Sequence, residues 1–317
     1  LTKAMRKFTI LVISLFSLVI LFTDCKKKEQ VVIPDNEAPY NGDVSRVKVE
    51  NFVNRLFIDL LGREPLDAEM DNEVAAIKSA GYSRASREAL ITKLMTDQTY
   101  RDGDSSYYHA YYNRFFELTK VRILDVYSDE GEYLAKQAGI LATAAYIDSL
   151  NNDLHGWAVK MEKVNKLRRA IKARYEYRNG VITIQEVYRR LLDNDIFEGS
   201  AWDNMYNVAN YARNGFNALF FRNATQEEIL KTQLMAQNGQ PEYLLGMYGQ
   251  SLADFYNIVT QCKEFNEGLI RYYFKSYLGR DPNTGEMYDF MTRYGGSAIN
   301  VQQLQKEILS YKEYANF

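Results

Sequence analysis

Two hydrophobic patterns divide this chain. Between Phe8 and Phe22 the residues are apolar except for Thr9, Ser14 and Ser17. From Val49 onward apolar residues recur every three or four positions, the spacing of amphipathic helices. Phe52, Leu56, Ile58, Leu60 and Leu61 mark the first such helix, and Gly62 followed by Arg63-Glu64-Pro65 ends it. Glycine enters the left-handed conformation that closes a helix, and a proline shortly after blocks continuation. Asp67 is the expected N-cap of a second helix, with Glu69 facing the positive end of its dipole. A third helix is expected over Ser83–Thr99, burying Leu90, Ile91, Leu94 and Met95. Tyr107–Leu118, Tyr133–Leu150 and Trp157–Tyr175 carry helical patterns as well.

The first junction is written again near the other end. Leu61-Gly62-Arg63-Glu64-Pro65 with Glu69-Met70 returns as Leu278-Gly279-Arg280-Asp281-Pro282 with Glu286-Met287, all at one offset. The later helices correspond too, Leu90, Leu94 and Met95 with Leu304, Ile308 and Leu309. Both are expected to end at an aromatic, Tyr100 and Tyr314, and Leu61 and Leu278 to be equivalent buried positions. A degraded copy lies between them: Phe216–Phe221, then Arg222-Asn223-Ala224-Thr225, with Thr225 and Glu228 spaced as a capping box. Its closing helix is expected to end Cys262-Lys263-Glu264-Phe265, beside Tyr311-Lys312-Glu313-Tyr314. A spacing of roughly fifty residues suggests one helical unit used several times.

These residues also carry a family resemblance. A helix, L-G-R-x-P, an acidic first turn, a glycine-containing turn and a helix ending S-x-E-F or S-x-E-Y resemble a small repeat of unknown function. That repeat occurs in bacterial secreted and surface proteins and is similar to the helical domain of phycobilisome linkers. Ser310-Tyr311-Lys312-Glu313-Tyr314 carries the closing motif, and Thr96–Tyr100 a looser form of it. The resemblance covers about residues 49–103 and 205–317, and departs from the usual Asp after the proline at Leu66 and Asn283. It implies a helical scaffold that associates, and it brings no catalytic residues.

The apolar run near the start has a different meaning. Met5-Arg6-Lys7, the run itself and Thr23-Asp24-Cys25 read as a secretory signal, with translation expected to begin at Met5. A spanning helix needs about 20 apolar residues, more than this run supplies. A cysteine at the junction resembles bacterial lipoproteins, which implies lipidation of Cys25 after loss of residues 1–24. Lys26, where an Asp would retain the protein at the inner membrane, extends that resemblance to outer-membrane sorting. Phe22, Thr23 and Asp24 stand where the pattern has Leu and small residues, so an uncleaved anchor or plain secretion is the alternative. Residues 25–48, with Lys26-Lys27-Lys28, Pro34, Pro39 and Gly42, are expected to form the lipidated cysteine and a flexible tether.

Composition narrows the chemistry. A net charge of −2 excludes the strongly basic balance of a nucleic-acid binder. Cys262 is the one cysteine besides Cys25, so no disulfide framework is expected. The 25 tyrosines are expected to pack at core edges, a Tyr-rich binding surface being the alternative. His109 and His155 lack any zinc-site spacing, and His109 among tyrosines reads as a packed helix residue. No nucleophile elbow, P-loop or dinucleotide fingerprint occurs, and Gly246-Met247-Tyr248-Gly249 reads as a loop without a following Lys-Ser/Thr. Arg63, Arg222 and Arg280 are expected to pair with nearby acids or helix carbonyls rather than with a phosphate or carboxylate ligand. The lysines and arginines of Trp157–Tyr175 read as a solvated face, with Val164, Leu167 and Ile171 packing beneath and an acidic partner as the alternative.

The expected fold class is therefore all-α: a multi-helix array of repeat-related helical units with a central helical insert, about ten to twelve helices in all. The expected divisions are a signal peptide (1–24), the tether (25–48), repeat 1 (49–103), a central helical region (104–204), degenerate repeat 2 (205–265) and repeat 3 (266–317). The expected function is that of a lipid-anchored outer-membrane protein serving as a binding or scaffold subunit of an envelope complex, without catalysis, metal or cofactor. Its partners are then the membrane through its lipid and a protein, with no nucleic acid. A glycan-binding or glycan-processing surface lipoprotein is the alternative. Its marked residues are Cys25 for lipid attachment and Gly62, Arg63, Pro65, Gly279, Arg280 and Pro282 at the helix junctions.

Overall fold

The computed structural model describes residues 44–101, 103–129, 131–193, 205–296 and 299–317. Among them the fold is all-α, with fourteen helices and one two-stranded hairpin. In chain order these are α1 (Arg46–Leu61), α2 (Asp67–Ser79), α3 (Arg84–Thr96), α4 (Tyr107–Leu124), α5 (Glu132–Leu150), α6 (Leu154–Arg178) and α7 (Ile184–Leu192). There follow α8 (Met205–Phe220), α9 (Gln226–Asn238), β1 (Glu242–Leu244), β2 (Met247–Gly249), α10 (Leu252–Gln261) and α11 (Lys263–Leu278). The chain closes with α12 (Thr284–Tyr294), α13 (Val301–Leu309) and α14 (Lys312–Ala315).

The helix number exceeds the sequence expectation because the closing motif breaks a helix rather than ending one. Cys262 (φ −68°, ψ 159°) separates α10 from α11, and Tyr311 (φ −62°, ψ 145°) is the extended cap before α14. Glu264 and Glu313 therefore stand in first turns, where a carboxylate faces the positive dipole end. α11 consequently runs across the expected 265/266 boundary.

Gly246-Met247-Tyr248-Gly249 is not a plain loop either. Leu244 pairs with Met247, and the two residues between them, Leu245 (φ 50°) and Gly246 (φ 87°), both take positive φ. Two consecutive left-handed residues make the turn whose twist suits a tight hairpin.

α4 is the central element, packing against α1, α3, α6, α7 and α8. It buries Tyr107, Tyr111, Phe115, Phe116 and Ile123. Many of the tyrosines pack inward: Tyr107, Tyr111, Tyr188, Tyr256, Tyr273, Tyr277 and Tyr314 are all buried. Several of their hydroxyls find partners inside, Tyr107 donating to Glu69 at 2.6 Å and Tyr111 to Gln305 at 2.5 Å. Satisfied hydroxyls are what make a buried Tyr tolerable. The two ends of the described chain meet. Arg55 donates to the carbonyls of Tyr277 and Tyr314, each at 3.0 Å, and Arg87 to that of Ser310 at 3.1 Å. These carbonyls lie at helix ends, where backbone acceptors lack intrahelical partners.

Candidate functional site

Three arginines hold three helix junctions in the same way. Gly62 (φ 80°) and Gly279 (φ 70°) cap α1 and α11 in the left-handed region, and Phe221 (φ 57°) occupies that place after α8. The next residue in each case is the arginine. Arg63 donates to both oxygens of Glu69 at 2.8 and 2.9 Å, Arg222 to Glu228 at 2.8 and 2.7 Å, and Arg280 to Glu286 at 2.7 and 2.8 Å. Each guanidinium also lies over the phenylalanine six residues earlier, Phe57, Phe216 and Phe274, at 5.4, 4.9 and 5.3 Å. A second acid completes each fork: Asp104, Glu264 and Glu313. The glutamate in turn accepts the backbone N–H of the N-cap, Leu66, Thr225 or Asn283, at 2.7–2.8 Å. Bidentate, charge-assisted pairing of this kind fixes angle as well as distance. These arginines are thus saturated by the protein's own carboxylates. Pro65 and Pro282 sit in the extended links between the paired helices.

The electrostatics follow from that pairing. Burial alone would raise Glu69, but hydrogen bonds from Arg63, Tyr107 and the Leu66 amide hold it down to about 2. Glu286 and Glu313 are also held below the usual carboxylate range, first by the Arg280 hydrogen bonds.

A recess lies beside the first junction. It has a volume of about 350 Å³, at the lower end of the range for small-molecule sites. α4 supplies one wall through His109, Asn113, Arg114 and Glu117, and Gly62 and Ser128 stand at its exposed rim. Positions 109, 113 and 117 fall four apart, so they share one helix face. Glu117 is only 3% exposed, and its Oε1 is buried without a hydrogen-bond partner among the described residues. Its other oxygen accepts the Asp129 amide at 3.0 Å and pairs with Lys120 at 2.7 Å. Arg114 Nε is likewise buried and unsatisfied. Burial first, then the charge of Arg178, pushes the His109 imidazole below its ordinary value. Among the described residues that line the recess, His109 carries the one aromatic ring.

A third feature is the helical hairpin α5–α6. α6 spans 25 residues, about 37 Å at roughly 1.5 Å per residue. α5 packs chiefly against it. Beneath, Val164, Leu167, Ala170 and Ala173 are buried, while Ile171 is half-buried. Around the turn, Tyr146, Ile147, Leu150, Leu154 and Trp157 are exposed. Several basic residues of α6 are paired: Lys160 with Asp148, Lys166 with Asp193 at 2.9 Å and Arg169 with Glu162 at 3.0 Å.

Several sequence expectations shift. The N-cap before α2 is Leu66, not Asp67, because Asp67 already has helical geometry. α3 ends at Thr96, and Tyr100 lies 75% exposed in the following link, closing nothing; Asp97 accepts the Thr99 amide at 2.8 Å and turns the chain away. Tyr107 is the aromatic that packs on Phe57, with ring centroids 5.7 Å apart. Leu61 is buried but Leu278 only half-buried, since Tyr277 takes the inward position of α11. α1 begins at Arg46, inside the span expected as tether. The signal segment, Cys25 and residues 26–43 lie outside the described residues. Sequence reading did not single out Arg114, Glu117 or the phenylalanine six before each arginine. The signal was present: His109, Asn113 and Glu117 form a polar stripe at helical spacing in an otherwise aromatic helix.

Among the described residues no group of three or more His, Cys, Asp or Glu is placed to hold a metal ion, and no helix is long and apolar enough to cross a membrane. Comparison with protein-family models, curated proteins and solved structures gave no match to this chain.

Proposed function

We propose that this protein is a lipid-anchored subunit of a bacterial envelope complex that binds a protein partner through the end of the α5–α6 hairpin. The observation that carries the reading is the exposed apolar group at that end, Tyr146, Ile147, Leu150, Leu154 and Trp157, around the turn that joins the two helices. Aromatic and aliphatic anchors of this kind dominate protein interfaces, and contiguous exposed apolar patches mark interaction sites. The rest of the chain serves as scaffold. In this reading the three arginine junctions are one helical unit used three times, with α5–α6 as a central insert. The shared Phe–Arg–Glu geometry supports that descent more strongly than the glycine, which Phe221 replaces in the middle copy.

The partner is one with an apolar groove, because the hairpin end offers hydrophobic anchors rather than a field of one charge. Residues 1–25 supply the attachment, as their lipoprotein resemblance implies. The test is affinity purification of the full chain from detergent-solubilised membranes, wild type against Leu154→Asp and Trp157→Asp. Loss of a discrete co-purifying protein from both variants, with thermal unfolding unchanged, supports the reading. Identical co-purifying sets from all three proteins contradict it. Cys25→Ala separately tests the anchor, and a Cys25→Ala protein that still fractionates with membranes rules out attachment at that cysteine.

A further inference from the structure

We propose that the recess beside α4 binds a small zwitterion, a molecule carrying the carboxylate and ammonium of an α-amino acid. The argument begins with two opposite charges that decline each other. Arg114 and Glu117 are three residues apart on α4, a spacing at which such side chains are neighbours and commonly pair. Both line the recess, yet no ion pair joins them. Lys120, Ser128 and the Asp129 amide all engage Glu117 through Oε2, which fixes its carboxylate while leaving Oε1 without a partner. Arg114 makes no hydrogen bond or ion pair with any described residue, and its Nε is buried. Asp59, whose carboxyl feels the Arg114 charge, accepts the Tyr314 hydroxyl at 2.7 Å instead.

A buried carboxylate oxygen and a buried guanidinium nitrogen without partners each carry a desolvation penalty. One ligand relieves both. Its carboxylate receives hydrogen bonds from Arg114, and its ammonium donates to Glu117 Oε1. A plain anion satisfies Arg114 and is repelled by Glu117; a plain cation meets the reverse. Asn113, between them on the same face, has both a donor and an acceptor for a third contact. Gly62 is part of the design, since a Cβ there would stand 3.1 Å from Arg114 Cδ and crowd the arginine. The same chemistry is offered by a free amino acid or by the two termini of a dipeptide, and 350 Å³ holds either.

The test uses the full chain in detergent micelles, with saturation-transfer NMR on a panel of the free protein amino acids and L-alanyl-L-alanine at millimolar concentration. Hits are then titrated by calorimetry. The expected result is binding of at least one zwitterion and none of its N-acetyl or α-amide form. Arg114→Gln is expected to weaken that binding by about tenfold to a hundredfold, the effect of one lost charge-assisted hydrogen bond. Arg114→Lys, which keeps the charge and loses the fork, is expected to lie between. Because Arg114 holds no other residue, the Arg114→Gln protein is expected to keep its far-UV circular dichroism and unfolding temperature. Glu117→Gln is a less clean probe, since Glu117 also supports Lys120. Binding of the dipeptide alone assigns the site to a peptide end, and binding of free amino acids assigns it to the monomer. No saturation transfer from any probe, equal binding of the N-acetyl form, or binding indifferent to Arg114→Gln overturns the proposal and leaves a recess filled by water.

Discussion

Glu313 accepts two hydrogen bonds of 2.8 Å from Arg280, so the guanidinium that follows the end of α11 also holds the first turn of α14. Arg222 and Glu264 repeat the arrangement between α8 and α11. One side chain thus ties three pieces of backbone: a helix end, the next helix start through Glu286 or Glu228, and a more distant helix start. A lysine has no fork to make two such pairs at once.

These junctions make stability acid-sensitive. Glu69, Glu286 and Glu313 have folded-state values below their unfolded ones, Glu69 at about 2 against an ordinary 4.5. A depressed carboxylate contributes stability fully above its unfolded value and loses it as pH falls through the folded one. Urea unfolding is therefore expected to show stability falling between about pH 4.5 and 2. Arg63→Met and Arg280→Met are expected to flatten that dependence, and an unchanged slope in both would show that the pairs are not its source.

Leu66 is the weak point of the first junction. Asn283 and Thr225 accept the amides of Glu286 and Glu228 at 2.9 and 3.2 Å, whereas Leu66 has no acceptor to offer Glu69. It is also 64% exposed, so its side chain contributes little packing. Leu66→Asp is expected to stabilise the protein by about 1 kcal/mol. Chemical denaturation checks this, and a loss of stability would show that the cap geometry differs from that of Asn283.

The two capping glycines offer a controlled comparison. Gly279→Ala meets no atom within 4 Å and is expected to cost only backbone strain, about 1 kcal/mol. Gly62→Ala adds the 3.1 Å approach to Arg114 Cδ, so its cost is expected to be larger. Equal costs would mean that Arg114 moves freely away from Gly62.

Lys120 is fully buried with Glu117 and Asp129. Lys120→Met leaves two carboxylates without their cation and is expected to destabilise by about 3–5 kcal/mol. Denaturation at neutral pH measures it, and a near-neutral effect would show that water or another group already satisfies those acids.

Much of this was legible in the sequence. Gly62 and Gly279 announced where helices stop, and nearby acids or helix carbonyls were the expected partners of Arg63, Arg222 and Arg280, because cap conformation and first-turn charge are local effects. Leu61 and Leu278 were not separable, since burial depends on what the rest of the fold places beside them, and at α11 it favours Tyr277. The break at Cys262 and Tyr311 escaped because its cause is distant: the glutamate after it is claimed by an arginine more than thirty residues away. Tyr100 failed for a similar reason, as Asp97 turns the chain and the burial passes to Tyr107. The recess was hidden differently. Its polar stripe was visible, but that Glu117 and Arg114 would not pair with each other depends on Lys120, Asp129 and Tyr314 taking the competing positions.

The central claim concerns the hairpin end, and photo-crosslinking in native membranes tests it most directly. A photoreactive side chain is placed at Trp157, at Leu154 and, as control, at the more exposed Tyr288 on α12. The account predicts one discrete protein adduct shared by positions 157 and 154 and absent from 288. Adducts identical at all three positions, or lipid alone at 157 and 154, would contradict it.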